Sequence, residues 1–472
     1  MSIVKYACTL IFLFSFNLII GQTFPVSSIL NNGADSKHIN YVIVGDGYTS
    51  SQQTTFITDA IAIKDDLFSQ SPFLEYKDFF NVYVIEVPSN ESGADHPGTA
   101  TDVVEPAFAV QDIDNYFGST FDAFNIHRLL VPMNSSAVNN VLATNFPAYD
   151  QVMVIVNSPN YGGSGGWLAT TSTNPAANEI AIHEIGHSFV GLSDEYWAGI
   201  QYANEKANMT QETNSNLVKW SDWMSINDVG IYPYGTSSPQ SDWHRPHQNC
   251  KMRYLGFPFC SVCAEAIIDQ IYSLVTPIEN KIPAASNVIY NSLPLDFQVD
   301  LIYPNPNTLS IEWVLNGAVV NATTNLLTLS DSDLPNTNNT LTVTVTDNTL
   351  LSKSYLPNAG YTFSQSWNVV NNGSTISTNK VDFENDVSKF FFKAFPNPTT
   401  DILNISYFHS AASIDAIVNT VSVDGRVSQS QAVKLLNGEG KFQLNIEHLP
   451  AGIYMVNING EGLNMSFQII KQ

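Results

Sequence analysis

Basic residues are scarce. Lys and Arg number 19 against 43 Asp and Glu, a formal net charge of −24, which excludes sequence-independent nucleic-acid binding because that needs a basic face to displace counterions. Such acidity mainly favours solubility. Charged residues of both signs make up only 13% of the chain, and the many Thr, Ser and Asn suit β-rich extracellular material. Long apolar runs are scarce too. The one present, from Ala7 through Ile20, follows Lys5 and stops at Gly21-Gln22, the layout of a secretory signal peptide over residues 1–21. It is short for a spanning helix and no second run of that length follows, so no stable membrane span is expected once it is removed.

Cysteine is nearly absent. Of four residues, Cys8 lies inside the apolar run and leaves with the signal, so Cys250, Cys260 and Cys263 remain. An odd number in an oxidising compartment means one disulfide plus a free thiol, or all three on a metal. A structural disulfide from Cys250 to Cys260 or Cys263 is the plainer reading, since a three-thiolate zinc site would still need His247 or another fourth ligand.

What is present is ample material for packed cores, 44% hydrophobic over 472 residues, a length beyond one core. From about Ile29 to Leu274, apolar strands at Tyr41–Val44, Phe80–Val87 and Val152–Val156 alternate with helical stretches such as Thr54–Phe68, so residues 22–275 read as a mixed α/β domain. The glycine-rich stretch Tyr161–Gly166 has no Lys-Ser/Thr behind it and reads as a flexible loop, with Trp167–Thr171 as an edge strand. Residues 276–370 alternate Asn, Thr, Leu and Val, with strands at Ile311–Trp313 and Leu341–Thr346, an immunoglobulin-like β-sandwich pattern. A polar linker at 371–393 leads to a last all-β segment, 394–472. The fold class expected is an α+β domain followed by two all-β sandwich modules.

The chemistry is concentrated at His183-Glu184-Ile-Gly-His187. Helical spacing puts His183 and His187 one turn apart on one face, where both imidazoles reach one metal. Glu184 lies beside them, placed to take a proton from water as it attacks a carbonyl carbon. The same spacing also fits an ordinary amphipathic helix. The continuation Gly191-Leu-Ser-Asp194-Glu195-Tyr196 favours the metal: Gly191 lets the chain leave the helix at positive φ, and a carboxylate then folds back as the third protein ligand that catalytic zinc requires. Asp194 is the first choice and Glu195 the runner-up, with a solvated or helix-capping acid as the structural alternative. Asp46, His96 and Ser164 sit in suggestive loops and read as structural.

Downstream, Met252 with Tyr254 two residues later resembles the methionine turn of the metzincin peptidases, although Gly191 and Asp194 stand one residue further from the second histidine than in that pattern. The run His183–Tyr196, with Gly45-Asp-Gly-Tyr48, Tyr161–Gly166, Cys250-Lys-Met-Arg253 and Phe259-Cys-Ser-Val-Cys263, resembles the bacterial immunoglobulin A peptidase family of zinc metallopeptidases over about residues 38 to 272. That resemblance implies a metzincin-like domain, zinc on His183, His187 and Asp194, Glu184 as general base and Tyr254 stabilising the oxyanion. The implied activity is a secreted endopeptidase cleaving extracellular proteins with zinc-activated water. Phe395–Asp401, Val423–Arg426, Leu449–Tyr454 and the ending Ile470–Gln472 resemble the type IX secretion sorting domains of Bacteroidota. These imply that the secretion machinery is a partner and that the enzyme is released or held at the cell surface. A catalytically silent adhesin or glycan-binding protein, and a zinc hydrolase of non-peptide bonds, are the competing readings.

Overall fold

The computed structural model describes residues 22–290, 294–353, 361–371, 390–395, 399–409, 413–422, 426–460 and 463–472. The signal segment 1–21, most of the linker, and parts of the Phe395–Asp401 and Val423–Arg426 motifs lie outside these residues. The chain forms two compact units, one reaching to Ser374 and the other beginning at Thr375.

In chain order the first unit starts with strands β1 (Val26–Leu30) and β2 (Ile39–Asp46), helix α1 (Gln53–Leu67) and β3 (Phe80–Ile85). Next come β4 (Ser119–Thr120) paired with β5 (Val131–Pro132), α2 (Ser135–Asn145), β6 (Gln151–Val156), β7 (Gly163–Gly165) and β8 (Ala169–Ser172). Helix α3 (Ala177–Val190), the small pair β9 (Tyr232–Pro233) and β10 (His244–Arg245), and α4 (Ser261–Leu274) complete it. Six strands make one sheet in the order β1-β3-β2-β6-β8-β7. Its four inner strands run parallel, and β1 and β7 close the two edges antiparallel.

Strands β2, β3 and β6 are buried along their whole length, as continuous apolar runs require when both faces of a parallel sheet are covered. The pleat sends alternate residues to opposite sides. Tyr41 and Ile43 join α1, α3 and α4 in one core, while Val42 and Val44 join Val138 and Leu142 of α2 in the other. Two expectations need correcting here. The glycine stretch is not a loose loop, because Gly163–Gly165 is itself the sheet edge. The strand after it is interior, because β8 lies between β6 and β7.

Asp46 at the end of β2 is wholly buried and accepts backbone N–H donors from Tyr116 (2.8 Å), Phe117 (3.1 Å) and Ser119 (3.2 Å). It therefore pins the long excursion between β3 and β5, a structural role as read from the sequence.

After α4 two sheets enclose a single core: β11 (Ile278–Ile282), β13 (Leu295–Leu301) and β16 (Leu326–Leu329) face β12 (Asn287–Tyr290), β14 (Leu309–Leu315), β15 (Ala318–Val320), β17 (Asn338–Asp347) and β18 (Thr362–Asn371). Trp313 and Trp367 stack in it with ring centroids 5.9 Å apart. Asp347 joins this sandwich to the α/β domain by accepting the hydroxyls of Tyr76 (2.6 Å) and Tyr272 (2.7 Å).

The second unit is all β. Its sheets are β19 (Phe390–Phe395), β20 (Ile402–His409) and β23 (Gly438–Asn445), and β22 (Val427–Leu435), β21 (Ile414–Ser422), β24 (Gly452–Gly460) and β25 (Leu463–Lys471). Leu403, Ile405, Val418, Leu444, Val456 and Ile458 fill the core between them. The molecule is thus mixed α/β with four α-helices among the described residues, ending in an all-β region.

Candidate metal centre

Helix α3 ends at Gly191, which takes φ 75°, and the N–H of that residue caps the last turn. A β-carbon is tolerated poorly at such an angle, so glycine here lets the chain reverse and bring Asp194 back over the helix. The result is a tight triangle. His183 Nε2 and His187 Nε2 are 3.2 Å apart, and Asp194 Oδ1 stands 3.1 Å from the first and 3.2 Å from the second.

The opposite ring nitrogens are tied to backbone carbonyls. His183 Nδ1 meets the Lys251 carbonyl at 3.0 Å and His187 Nδ1 meets that of Leu192 at 2.8 Å. Each Nδ1 acts as donor there, which turns both Nε2 lone pairs toward Asp194 and toward each other. Two imidazole nitrogens and a carboxylate so close suit a shared cation. Tetrahedral zinc with bonds of about 2.0–2.1 Å spaces its ligand atoms roughly 3.3 Å apart, so the donor set fits that ion. Three of the sequence-derived residues, His183, His187 and Asp194, are therefore brought together at one point.

Charge follows geometry. Burial alone would lower the pKa of both histidines, but the Asp194 hydrogen bonds and surrounding carboxylates outweigh it, raising His183 and lifting His187 to about 9. Burial raises Asp194, yet its bonds to both imidazoles bring it well below the usual carboxylate range. Glu184 is raised by burial, only partly countered by the histidines. A carboxyl moved toward neutrality is suited to accept and return a proton.

The surroundings form a cleft of about 1320 Å³ that contains the triangle and Glu184. Strand β7 lies directly above α3. A β-carbon on Gly165 would stand 2.5 Å from His187 Cβ and 2.9 Å from Glu184 Oε2, and one on Gly163 would meet Glu184 Oε1 at 3.3 Å. The glycines are there because the strand edge and the helix approach too closely for side chains. Beneath the helix, a β-carbon on Gly186 would stand 2.5 Å from the sulfur of buried Met252.

Tyr254 lines the cleft under the Arg253 guanidinium, 4.8 Å from its ring centroid. Sequence reasoning passed over a second tyrosine. Tyr196 also lines the cleft, half-exposed at its mouth, and its hydroxyl is held protonated by partial desolvation first and then by the charges of Asp194 and Glu184. Its place two residues after Asp194 was the available signal.

Glu195 is not the third ligand at this centre. Its side chain is buried on the far side, 3.3 Å from Cys263 Sγ. Nor are the cysteines joined by a disulfide: Cys250 Sγ and Cys263 Sγ are 3.7 Å apart. His247 is elsewhere, its Nδ1 accepting the Asn249 N–H.

Residues 28–234 match the family model of IgA peptidase M64, a metallopeptidase family. Residues 393–472 match that of the secretion system C-terminal sorting domain. The sorting domain marks the chain as secreted or displayed at the cell surface and implies contact with the secretion machinery. Among the described residues no helix is long and apolar enough to cross a membrane.

A search of curated proteins returns no match. Among solved structures, latent PorU from Porphyromonas gingivalis is similar at 13% identity and a TM-score of 0.19, over 40% of this chain and 19% of that one. A Parabacteroides merdae β-glucuronidase is similar at 10% and 0.18, over 52% and 30%. The chain thus spans less than a third of either structure's length, and similarity at this level carries nothing about fold or function.

Proposed function

We propose, with an IgA peptidase M64 segment followed by a sorting domain as the premise, that this protein is a secreted zinc-dependent endopeptidase acting on extracellular proteins. The observation that supports it most is the triangle of His183, His187 and Asp194, whose donor atoms lie 3.1–3.2 Å apart beside Glu184 at the floor of an open cleft. The three would hold zinc. When bound, the ion supplies Lewis acidity, making water more acidic and polarising the scissile carbonyl.

The remaining work falls to the chain. Glu184 takes the proton of the attacking water and delivers it to the departing amine, a role its raised pKa suits. Strand β7, whose Gly163 N–H and carbonyl are engaged by Arg128 and Leu130, leaves its Gly165 end, against Glu184 and His187, as the edge on which an extended peptide would pair. The bare Cα of Gly165 lets substrate backbone approach the helix. Tyr161, Tyr196, Trp197, Tyr202 and Tyr254 line the same cleft and offer apolar surface with polar tips to a polypeptide. Tyr254 and Tyr196 are the two candidates to donate to the oxyanion. A hydrogen bond to Asp194 and exposure to the charge of Glu184 favour Tyr196. The module from 276 to 370 is read as immunoglobulin-like, a spacer or binding module between the peptidase and the sorting domain.

The test is hydrolysis of casein and of a peptide library by full-length protein before chelation, after chelation, and after zinc is returned. Loss and recovery of cleavage supports the reading. Cleavage that persists without metal, or hydrolysis of small esters and amides but of no peptide, overturns it.

A further inference from the structure

Immediately behind the first centre lies a second convergence of ligand-type atoms. Cys250, Cys260, Cys263 and Glu195 are all buried, Glu195 completely, and one donor atom from each lies within 4.8 Å of every other. Cys250 Sγ and Cys263 Sγ are 3.7 Å apart, and Glu195 Oε1 lies 3.3 Å from Cys263 Sγ and 3.9 Å from Cys260 Sγ. These separations do not suit covalent sulfur pairing. Four ligands on zinc, with Zn–S bonds of about 2.3 Å and Zn–O near 2.0 Å at tetrahedral angles, have S···S edges of about 3.7 Å and S···O edges of about 3.5 Å.

The sequence is arranged for the same geometry. Cys260 and Cys263 have two residues between them at the start of α4, the close spacing of a thiolate pair on one metal. The Cys260 N–H points at Cys250 Sγ at 3.3 Å, and Asn208 Nδ2 donates to Glu195 Oε1 at 3.2 Å, so the outer donors that stabilise anionic ligands are in place. Glu195 Oε2 is buried with no hydrogen-bond partner. A carboxylate oxygen left so, beside sulfur atoms in the interior, is costly unless a cation or a proton compensates it. A disulfide would use two thiols and leave the third thiol and the carboxylate unexplained.

We propose that Cys250, Cys260, Cys263 and Glu195 form a second, closed zinc site of structural character. Its place gives it a further purpose. Consecutive residues Asp194 and Glu195 face opposite ways, one to each centre, and the Glu195 N–H donates to the Met252 carbonyl at 2.7 Å. Cys250 leads into Lys251, whose carbonyl holds His183, and into Met252 beneath Gly186. The sulfur-rich site thus anchors both segments that shape the catalytic centre, and its four ligands are positioning residues for Asp194 and His183.

The experiment is zinc K-edge X-ray absorption on the full chain, with thiols alkylated under denaturing, non-reducing conditions and counted by mass spectrometry. The proposal expects a sulfur shell at about 2.3 Å and alkylation of each of Cys250, Cys260 and Cys263. In a His183→Ala/His187→Ala variant the sulfur-bound zinc stays while the nitrogen-ligated zinc goes, and in Cys263→Ser the sulfur shell is lost. Zinc with only nitrogen and oxygen neighbours, a disulfide between any two of the three cysteines, or no bound metal overturns it. Because the readout is sulfur scattering, a failed peptidase assay with an intact sulfur shell overturns only the proposed activity, and cleavage without that shell overturns only this site.

Discussion

Single side chains carry the proposed chemistry, and the two tyrosines separate the possible ways of stabilising the transition state. Tyr196 is hydrogen-bonded to Asp194 and feels the charge of Glu184, whereas Tyr254 stacks under Arg253 at the cleft wall. Removing a hydroxyl that donates to the developing oxyanion costs on the order of 10²-fold in kcat. Tyr196→Phe is expected to lose activity on that scale with KM little changed, and Tyr254→Phe to lose under about tenfold. Steady-state kinetics on one peptide decides it, and the reverse order would return the role to Tyr254. The triangle itself was legible in the sequence because helical spacing fixes which face His183 and His187 share, and because Gly191 announces the reversal. The direction of Glu195 was not. Neighbouring residues of an irregular loop have no periodicity, so only the packing of Cys260 and Cys263 shows that Glu195 turns away from Asp194.

Among the elements, the contact of β7 with α3 and the Lys251–Tyr254 turn set the geometry of the centre. Gly165→Ala puts a carbon 2.5 Å from His187 Cβ. It should lower both zinc affinity and activity while far-ultraviolet circular dichroism stays unchanged, and wild-type zinc affinity in this variant would show that strand and helix have room to part. The turn is held by an ion pair between buried Lys251 Nζ and half-buried Glu179, whose carboxylate also accepts the Gly256 N–H at 2.6 Å. Burial raises the Glu179 pKa, but the Lys251 bond and charge outweigh it and the folded value lies below the ordinary one. Its contribution is therefore full above the unfolded pKa of about 4.3 and fades as pH falls through the lower folded value. Glu179→Gln removes the charge facing Lys251 and should cost about 1–2 kcal/mol near neutrality, read as a drop in Tm that shrinks below about pH 4. A Tm gap that is constant down to pH 3 would contradict the sign. Strands β2, β3 and β6 were readable as apolar runs. Strand β7 was not, since glycine carries no side-chain pattern and its strand character comes from pairing with β8.

For the whole molecule, the α/β domain and the sandwich after it share buried polar contacts, so the sequence boundary near residue 275 is not a free cut. Asp347 of the sandwich accepts the hydroxyls of Tyr76 and Tyr272 from the α/β domain. Ending the chain at 275 leaves both hydroxyls without their acceptor and exposes the core around Tyr272. A 22–275 fragment should melt at least several degrees below a 22–371 fragment, as about 2 kcal/mol of lost burial and hydrogen bonding requires. Equal Tm values in calorimetry would show that the α/β domain is self-sufficient. The composition shift after Leu274 was visible in the sequence as alternating Thr and Val, but the long-range bonds between tyrosines and an aspartate left no local trace.

The central claim is that a metal on His183, His187 and Asp194 works with Glu184 to hydrolyse peptide bonds. The most direct measurement is the metal content and casein hydrolysis of full-length wild type and of Glu184→Gln, made on the same preparations. The account predicts equal zinc in both, cleavage by wild type, and a rate at least about 10²-fold lower in the variant. Equal cleavage by both proteins at equal zinc would contradict it.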